Sequence, residues 1–388
     1  MPSQNNRILS QSELNELILF RKSLHLNPEL SGKEEQTSGK VMEMAVKYGA
    51  NRIISGLGGH GVAVIFKGKE EKYCLLFRAD MDALPIQETG GHNYRSQTDG
   101  IAHLCGHDGH TTILCGLMSV LSKNPIRNGT IILLFQPAEE TGQGAYDVIN
   151  DPKFHELKPD YVFALHNLPS FPMHSVIIRD ESFASASKGM IIRLEGKSSH
   201  AAEPEKGINP GVAVSEIIPA LINLPISNTN LTDFNLISLI HVKVGEIAFG
   251  TSASTAILMF TLRSSLNSDI LQLTESAERI CQQIATAHRL KIQIDYTEEF
   301  PATINDIACN EIIKKAANQS ALPIKYPEKA FRWSEDFGHF TSKYQGSLFG
   351  IGSGENQPAL HQSTYDFPDE LINTGVLMFN NIISQFEE

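Results

Sequence analysis

Ile131-Ile132-Leu133-Leu134-Phe135-Gln136-Pro137-Ala138-Glu139-Glu140 is the stretch on which the fold turns. Its five consecutive apolar residues read as a strand buried on both faces, the kind found in parallel sheets covered by helices. The polar residues that follow carry two adjacent carboxylates off the strand's carboxyl end, where open α/β sheets place their sites.

Working outward, Tyr161 to Leu165 and Ser347 to Ile351 are similar buried runs, and Val62 to Phe66 and Tyr73 to Phe77 are strands separated by a polar turn. Between them, Thr111 to Lys123 has a helical apolar face of Ile113, Leu114, Leu117, Met118 and Leu121. Ser10 to Glu13 has the spacing of a capping box ahead of a first helix, and a second runs from about Glu34 to Tyr48, stopped by Gly49. Strands alternating with helices predict an α/β fold whose central sheet is mixed but mostly parallel and flanked by helices. Polar residues follow three of the strands: Arg78 to Asp82, Gln136 to Glu140, and His166.

The middle of the chain changes character. Gly189 to Gly196, Leu236 to Gly245, Thr255 to Arg263 and Lys291 to Tyr296 read as strands, with helices at Pro210 to Leu224 and Asp269 to His288. The order β-α-β-β-α-β is that of a ferredoxin-like α+β unit. Ligand candidates lie on both sides of it, which predicts an insertion. The division expected is 1–186 and 291–388 as two parts of a catalytic domain and 187–290 as the inserted one.

Cysteine, histidine and carboxylate are the side chains that hold zinc- or manganese-like ions. His103 to His110 packs three histidines, a cysteine and an aspartate into eight residues ahead of a helix. A lone Cys105 or His107 is more often a buried structural residue, and His166 taken alone is one about as often as not, but these gather with Glu139 and Glu140 at strand ends. A structural zinc site wants four closed ligands, often in paired Cys motifs, and no second pair exists. Two adjacent glutamates can divide the work, one holding metal and one moving protons. Asp80 and Asp82, ending another strand, suit the orientation of a ligating histidine.

The chain has 388 residues, 41% apolar and 20% charged, with a net charge of −12. That size favours two compact units, and the charge argues against a nucleic-acid partner, which needs a basic face. The polar stretch Met1 to Asn15 lacks the layout of a signal peptide. No apolar run approaches the ~20 residues that span a bilayer. Five scattered cysteines fit a reducing compartment, so a cytoplasmic location and no membrane partner are expected.

Leu24 to Leu30, Arg78 to Pro85, Cys105 to Thr111, Phe135 to Glu140, Ala164 to Asn167, Ser199 to Ala202, Ser334 to Phe337 and Pro358 to His361 together resemble the dimetal aminoacylase and carboxypeptidase family. The similarity is to its branch of hippurate hydrolases, N-acyl-amino-acid amidohydrolases and plant auxin-conjugate hydrolases. It spans nearly the whole chain in the family's order. The resemblance implies a zinc-exopeptidase-like fold and two divalent ions per subunit (zinc or manganese, with cobalt or nickel as further candidates). It implies Cys105, His107, Glu140, His166 and His361 as their ligands, with the cysteine bridging, Glu139 as general base and Asp82 as its supporting partner. It also implies a homodimer formed through the inserted domain, in which His200 of one subunit polarises the scissile carbonyl in the other. Substrate contacts are expected at His200, Gly250 and Arg263.

The chain departs from the family in two places. Ser198 and Ser199 stand where glycines usually precede the histidine, and Gly250 falls where many relatives carry an asparagine. The activity implied is metal-dependent hydrolysis of a small-molecule N-acyl amino acid. The alternatives are a dipeptidase or aminopeptidase on the same site, a non-catalytic ligand-binding relative, and a thiol enzyme using Cys105 as nucleophile.

Overall fold

A computed structural model describes residues 7–227, 231 and 233–387; Met1 to Asn6 of the polar N-terminal stretch lie outside the described residues. In chain order the larger unit opens with helices Gln11–His25 (α1) and Glu35–Lys47 (α2), then strands Arg52–Leu57 (β1), Gly61–Lys67 (β2) and Cys74–Asp80 (β3). It continues with His107–Lys123 (α3), Thr130–Gln136 (β4), Gly144–Asn150 (α4), Tyr161–Pro169 (β5), Val176–Ile177 (β6) and Glu181–Ala184 (β7). A second unit holds Ala186–Glu195 (β8), Ser199–His200 (β9), Gly211–Ser227 (α5), Asn235–Val244 (β10), Thr251–Ser252 (β11), Thr255–Ser264 (β12), Asn267–Ala287 (α6) and Lys291–Phe300 (β13). The chain then returns through Thr303–Asn305 (β14), Ile307–Gln319 (α7), Ile324–Lys325 (β15), Gly338–Thr341 (α8), Gln345–Gly354 (β16) and Leu371–Glu387 (α9).

Among the described residues the larger unit holds an eight-stranded sheet in the order β1-β2-β4-β3-β5-β16-β6-β15. β4, β3, β5 and β16 run parallel, as do β6 and β15, while β1–β2, β2–β4 and β16–β6 are antiparallel. β2 and β3, consecutive in sequence, are not neighbours, because β4 lies between them. The central strands are buried along almost their whole length, as continuous apolar runs require.

Helix α3 is buried from His107 to Leu121. It begins four residues earlier than its apolar periodicity alone predicts, so His107 sits in its first turn. Gly106, at φ 99°, makes the turn into it, and any side chain there would run into Asn167. The capping box at Ser10 and Glu13 forms in full at the start of α1.

The second unit comprises residues 184–302 and 330–334. Its sheet has the order β10-β12-β8-β13 with every neighbouring pair antiparallel, and α5 and α6 supply the apolar face that covers it. The boundary expected at residue 290 falls short: β13 hydrogen-bonds to β8 from Lys291 to Phe300, so this strand belongs to the inserted unit. No helix among the described residues is long and apolar enough to cross a membrane.

Candidate metal centre

Four connections of the larger unit bring its site together. Cys105 and His107 come from the turn into α3, Glu139 and Glu140 from the turn after β4, His166 from within β5, and His361 from the loop after β16. His361 adopts the left-handed conformation at φ 66°, and Ala138, just before the glutamates, does so at φ 54°. Such backbone is sparsely populated and persists where surrounding contacts enforce it. At Ala138 the enforcing group is Glu34, a buried carboxylate whose Oε1 accepts from both Ala138 N and Gly32 N at 2.8 Å.

The Cys105 thiol is the hub. His166 Nε2 lies 3.5 Å from its sulfur and His361 Nε2 3.4 Å. His361 Nε2 is also 3.5 Å from Glu140 Oε1, which in turn is 3.8 Å from His107 Nε2. Glu139 Oε2 lies 3.9 Å from the same His107 nitrogen. Two groups, Cys105-His107-His166 and Cys105-Glu140-His361, therefore share the sulfur, each with its ligand atoms within 4.8 Å of one another.

The other ring nitrogens are tied down. His107 Nδ1 is 3.0 Å from the Asp82 carbonyl and 3.3 Å from Asp82 Oδ1, and His166 Nδ1 is 2.8 Å from the Asn167 carbonyl. Both histidines so turn Nε2 toward the sulfur side, the arrangement that backs metal-bound imidazoles. Asp82 Oδ2 also accepts the Glu140 N–H at 3.0 Å and the Ser31 hydroxyl at 2.6 Å. Asp82 thus holds one member of each ligand group.

The donor set fits divalent cations. His107 Nε2 and Glu140 Oε1 are buried atoms with no hydrogen-bond partner, although polar atoms in protein interiors are almost always paired. They face each other across a gap lined by a thiol, two further imidazoles and a second carboxylate. Burial pushes the Glu140 carboxyl up to about 8, with Asp82 and Asp80 adding to the rise against His107. Burial, then Glu335, Glu140 and Asp336, raises Glu139 well above the carboxylate range, and burial with Glu140 does the same to the Cys105 thiol. Burial keeps His166 and His361 neutral, the form that ligates. A cation reverses the shifts of the acids by supplying the missing positive charge.

Arg78, whose part the sequence reading left open, is the largest charged side chain under the site. It is wholly buried, with NH1 2.7 Å from Asp80 Oδ2 and NH2 2.7 Å from Asp336 Oδ1 and 2.8 Å from Glu335 Oε1. Asp336 Oδ2 accepts from the Ala145 N–H at 2.8 Å, and the Asp336 N–H donates to Glu139 Oε1 at 3.3 Å. His110 joins the same network through Asp80 Oδ1 at 2.7 Å. Arg78 and the Glu335-Asp336 pair lie in two segments that carried the family resemblance, which was the available signal. Glu34 had none, since it reads as an acidic helix start.

His200, Gly250 and Arg263 belong to the second unit. His200 pairs with Thr251 in the ribbon of β9 and β11, and the Ala201 N–H donates to the Gly250 carbonyl at 3.0 Å. His200 and Gly250 are therefore neighbours. A side chain at Gly250 would meet nothing within 4 Å, so the position is open rather than filled by the residues around it. Arg263 lies at the other end of β12, where it bonds the Arg332 carbonyl at 3.2 Å and the Ser334 hydroxyl at 2.9 Å, and it is not part of the His200–Gly250 group.

Cys105 is expected to resist thiol reagents in the metal-loaded protein and to become reactive on chelation, because a coordinated thiolate is masked by its ion. Mass mapping of labelled cysteines with and without chelator checks this. Rapid labelling of Cys105 in loaded protein would show that the sulfur is not a ligand and would favour the thiol-enzyme alternative.

Residues 76–385 match the description of Peptidase family M20/M25/M40. An N-acetyldiaminopimelate deacetylase from Bacillus subtilis is 29% identical over 378 residues, covering 96% of this chain and 99% of its own. A hippurate hydrolase from Campylobacter jejuni is 32% identical over 357 residues, covering 91% of this chain and 92% of its own. Among solved structures, the Bacillus subtilis YXEP protein, a dinuclear metal binding peptidase of the M20 family, superposes with a TM-score of 0.83. It is 24% identical over 98% of this chain and 99% of that one.

Proposed function

Because this chain belongs to Peptidase family M20/M25/M40 and is a metal-dependent amidohydrolase, we propose that it hydrolyses the amide bond of an N-acyl amino acid. The products are a carboxylic acid and the free amino acid. The observation that carries the reading is the division between adjacent glutamates. Both glutamates fall in a candidate ligand group with His107, but only Glu140 shares one with Cys105 and His361, while Glu139 is anchored through Oε1 to the Asp336 N–H and keeps Oε2 on the site side. The deacetylase and hippurate hydrolase relatives support the substrate class.

Cys105, His107, Glu140, His166 and His361 would hold two divalent ions, which when bound polarise a carbonyl and ease the deprotonation of water. Zinc or manganese suits these mixed ligands, as do cobalt and nickel. Glu139 takes the proton from the attacking water. It later delivers a proton to the amine nitrogen as the carbon–nitrogen bond breaks. Asp82 keeps His107 and Glu140 oriented during both steps.

The His200 Nδ1 accepts the Ala202 N–H at 3.1 Å. A neutral ring must then carry its proton on Nε2, ready to donate to a developing oxyanion. In this proposal the donor acts across a homodimer formed through the second unit, and the partner subunit's His200 completes each site. The five cysteines are free thiols, which suits the proposed cytoplasmic location.

Kinetic comparison of acetyl-, benzoyl- and indoleacetyl-amino acids with free dipeptides tests the substrate class. Faster turnover of the dipeptides would favour the dipeptidase alternative. Complementation tests the dimer. His200→Ala and Glu139→Gln should each be inactive, and mixing them should restore roughly a quarter of wild-type activity. About half the dimers are then hybrids, each with one site receiving both native residues. Subunit exchange shown by tagged pull-down without recovered activity would place both residues in one subunit's site.

Gly250→Asn should fold normally, given the open space, and raise kcat/KM on N-acyl amino acids by about tenfold, the worth of one added hydrogen bond. Unchanged kinetics would remove this position from the substrate contacts.

A further inference from the structure

His25, Glu88 and His92 form a cluster that shares no residue with the catalytic ligand groups, and their three ligand atoms lie within 4.8 Å of one another. His25 ends α1; Glu88 and His92 lie on the long connection between β3 and α3. Glu88 Oε1 is 3.2 Å from His25 Nε2 and 2.7 Å from His92 Nε2. Tetrahedral ligands at zinc's bond lengths of about 2.0–2.2 Å stand roughly 3.3 Å apart, so the first separation already matches and the second needs to widen by about half an ångström.

The groups behind this triad are arranged as metal ligands are backed. His25 Nδ1 is 2.9 Å from Asp108 Oδ2, which orients the ring with Nε2 toward Glu88. Glu88 Oε2 accepts the Ser96 N–H at 2.7 Å and leaves Oε1 between the two imidazoles. His92 is braced by stacking on Tyr94, with ring centroids 4.4 Å apart. This is the carboxylate–histidine arrangement that fixes tautomer and direction at a metal.

Two further observations point to a missing cation. Four carboxylates meet here, Glu88, Asp108, Asp366 and Asp369, against the permanent cations Arg21 and Lys22. These carboxylates outnumber the permanent cations by two, an excess that protonation of His25, pushed up to about 9 by Asp108 and Glu88 against burial, would only halve, in surroundings where His25, Arg21 and Asp108 are fully buried. The His92 Nε2 and both ring nitrogens of the buried His103 have no well-directed hydrogen-bond partner, and the His103 ring centroid is 6.4 Å from that of His25. The cluster thus holds more imidazole than its own hydrogen bonds use.

We propose that His25 Nε2, Glu88 Oε1 and His92 Nε2 form a third divalent-cation site, of zinc type, that clamps the end of α1 to the connection leading into α3. It is a structural site rather than a catalytic one. Through the His25–Asp108 contact it braces the first turn of α3.

Zinc alone, at buffered free concentration, is the probe. After equilibrium dialysis, elemental analysis should find one more zinc per subunit in the wild-type protein than in His92→Asn or Glu88→Gln. Titration should show that ion bound at least ~10-fold more weakly in either variant, since even groups behind the ligands are worth that much. His92 is partly exposed, so His92→Asn remains informative if Glu88→Gln fails to fold. The comparison is a difference between variants, and it stands whatever the catalytic site retains. Equal zinc content in the wild-type protein and His92→Asn would overturn the proposal. It would leave a protonated His25 as the bridge between Asp108 and Glu88.

Discussion

Glu139→Gln keeps its full metal content and loses ~10² to 10⁴ in kcat, the loss expected when a general acid–base group is removed. The amide occupies the same volume and can still accept the Asp336 N–H, so the ligand groups built on Cys105 stay in place. What disappears is the basic oxygen beside His107. Glu140→Gln should behave differently. Its Oε1 sits between His107 and His361, and an amide there weakens metal retention before it changes anything else. Elemental analysis of both variants alongside kcat separates the two roles. Near wild-type kcat in a metal-replete Glu139→Gln, or equal metal loss in both variants, contradicts the assignment.

Arg78→Met should cost about 3–5 kcal/mol or more, the price of stranding a buried charge partner. Three carboxylates depend on this guanidinium, and all lie in the interior. Burial and the neighbouring Glu335 already raise Asp336 to about 8 with the arginine opposing, so its removal leaves acids that are uncharged or unpaired. The experiment is thermal unfolding followed by near-ultraviolet circular dichroism. Arg52→Met serves as control, since the Arg52–Glu156 pair is half exposed and its loss should cost less than about 1 kcal/mol. Adding Glu335→Gln and Asp336→Asn to Arg78→Met should recover part of the loss. Equal unfolding temperatures for Arg78→Met and Arg52→Met would show that the network carries no stability.

Much of this molecule is legible before any coordinates. The strands at β2, β3, β4, β5 and β16 announce themselves because burial on both faces demands unbroken apolar runs, and the β-α-β-β-α-β order of the second unit follows from alternation and helical spacing. Other parts are silent for physical reasons. β6 and β15 are two residues each, too short for any period to show. The insertion of β4 between β2 and β3 is a matter of pairing, and strands apolar on both faces carry no register signal of their own. The candidate ligands Cys105, His107, Glu140 and His166 could be singled out by their chemistry and His361 by the resemblance, but the roles of Arg78, Glu34 and His110 could not. Their importance comes from partners such as Asp336, 258 residues from Arg78. Arg263, expected as a substrate contact, lies apart from His200 and Gly250 and bonds the Arg332 carbonyl and the Ser334 hydroxyl through one guanidinium nitrogen, a placement its sequence context does not reveal.

The parallel pairing of β5 with β16 sets a timetable for synthesis. Leu165 meets Phe349 only after the whole second unit and α7 have been made. The contiguous span 184–302 can close its own antiparallel sheet early, whereas β5 emerges from the ribosome with one edge unsatisfied and keeps it for about 180 residues. Exposed edges of apolar strands are where nascent chains aggregate. Glu335 and Asp336 arrive equally late, so Arg78 waits with them, and His361 comes last. Truncation between residues 335 and 345 would therefore leave a complete small unit tethered to a half-sheet with an open apolar edge. The stretch of translation before β16 is made is where this chain is expected to be most prone to aggregate.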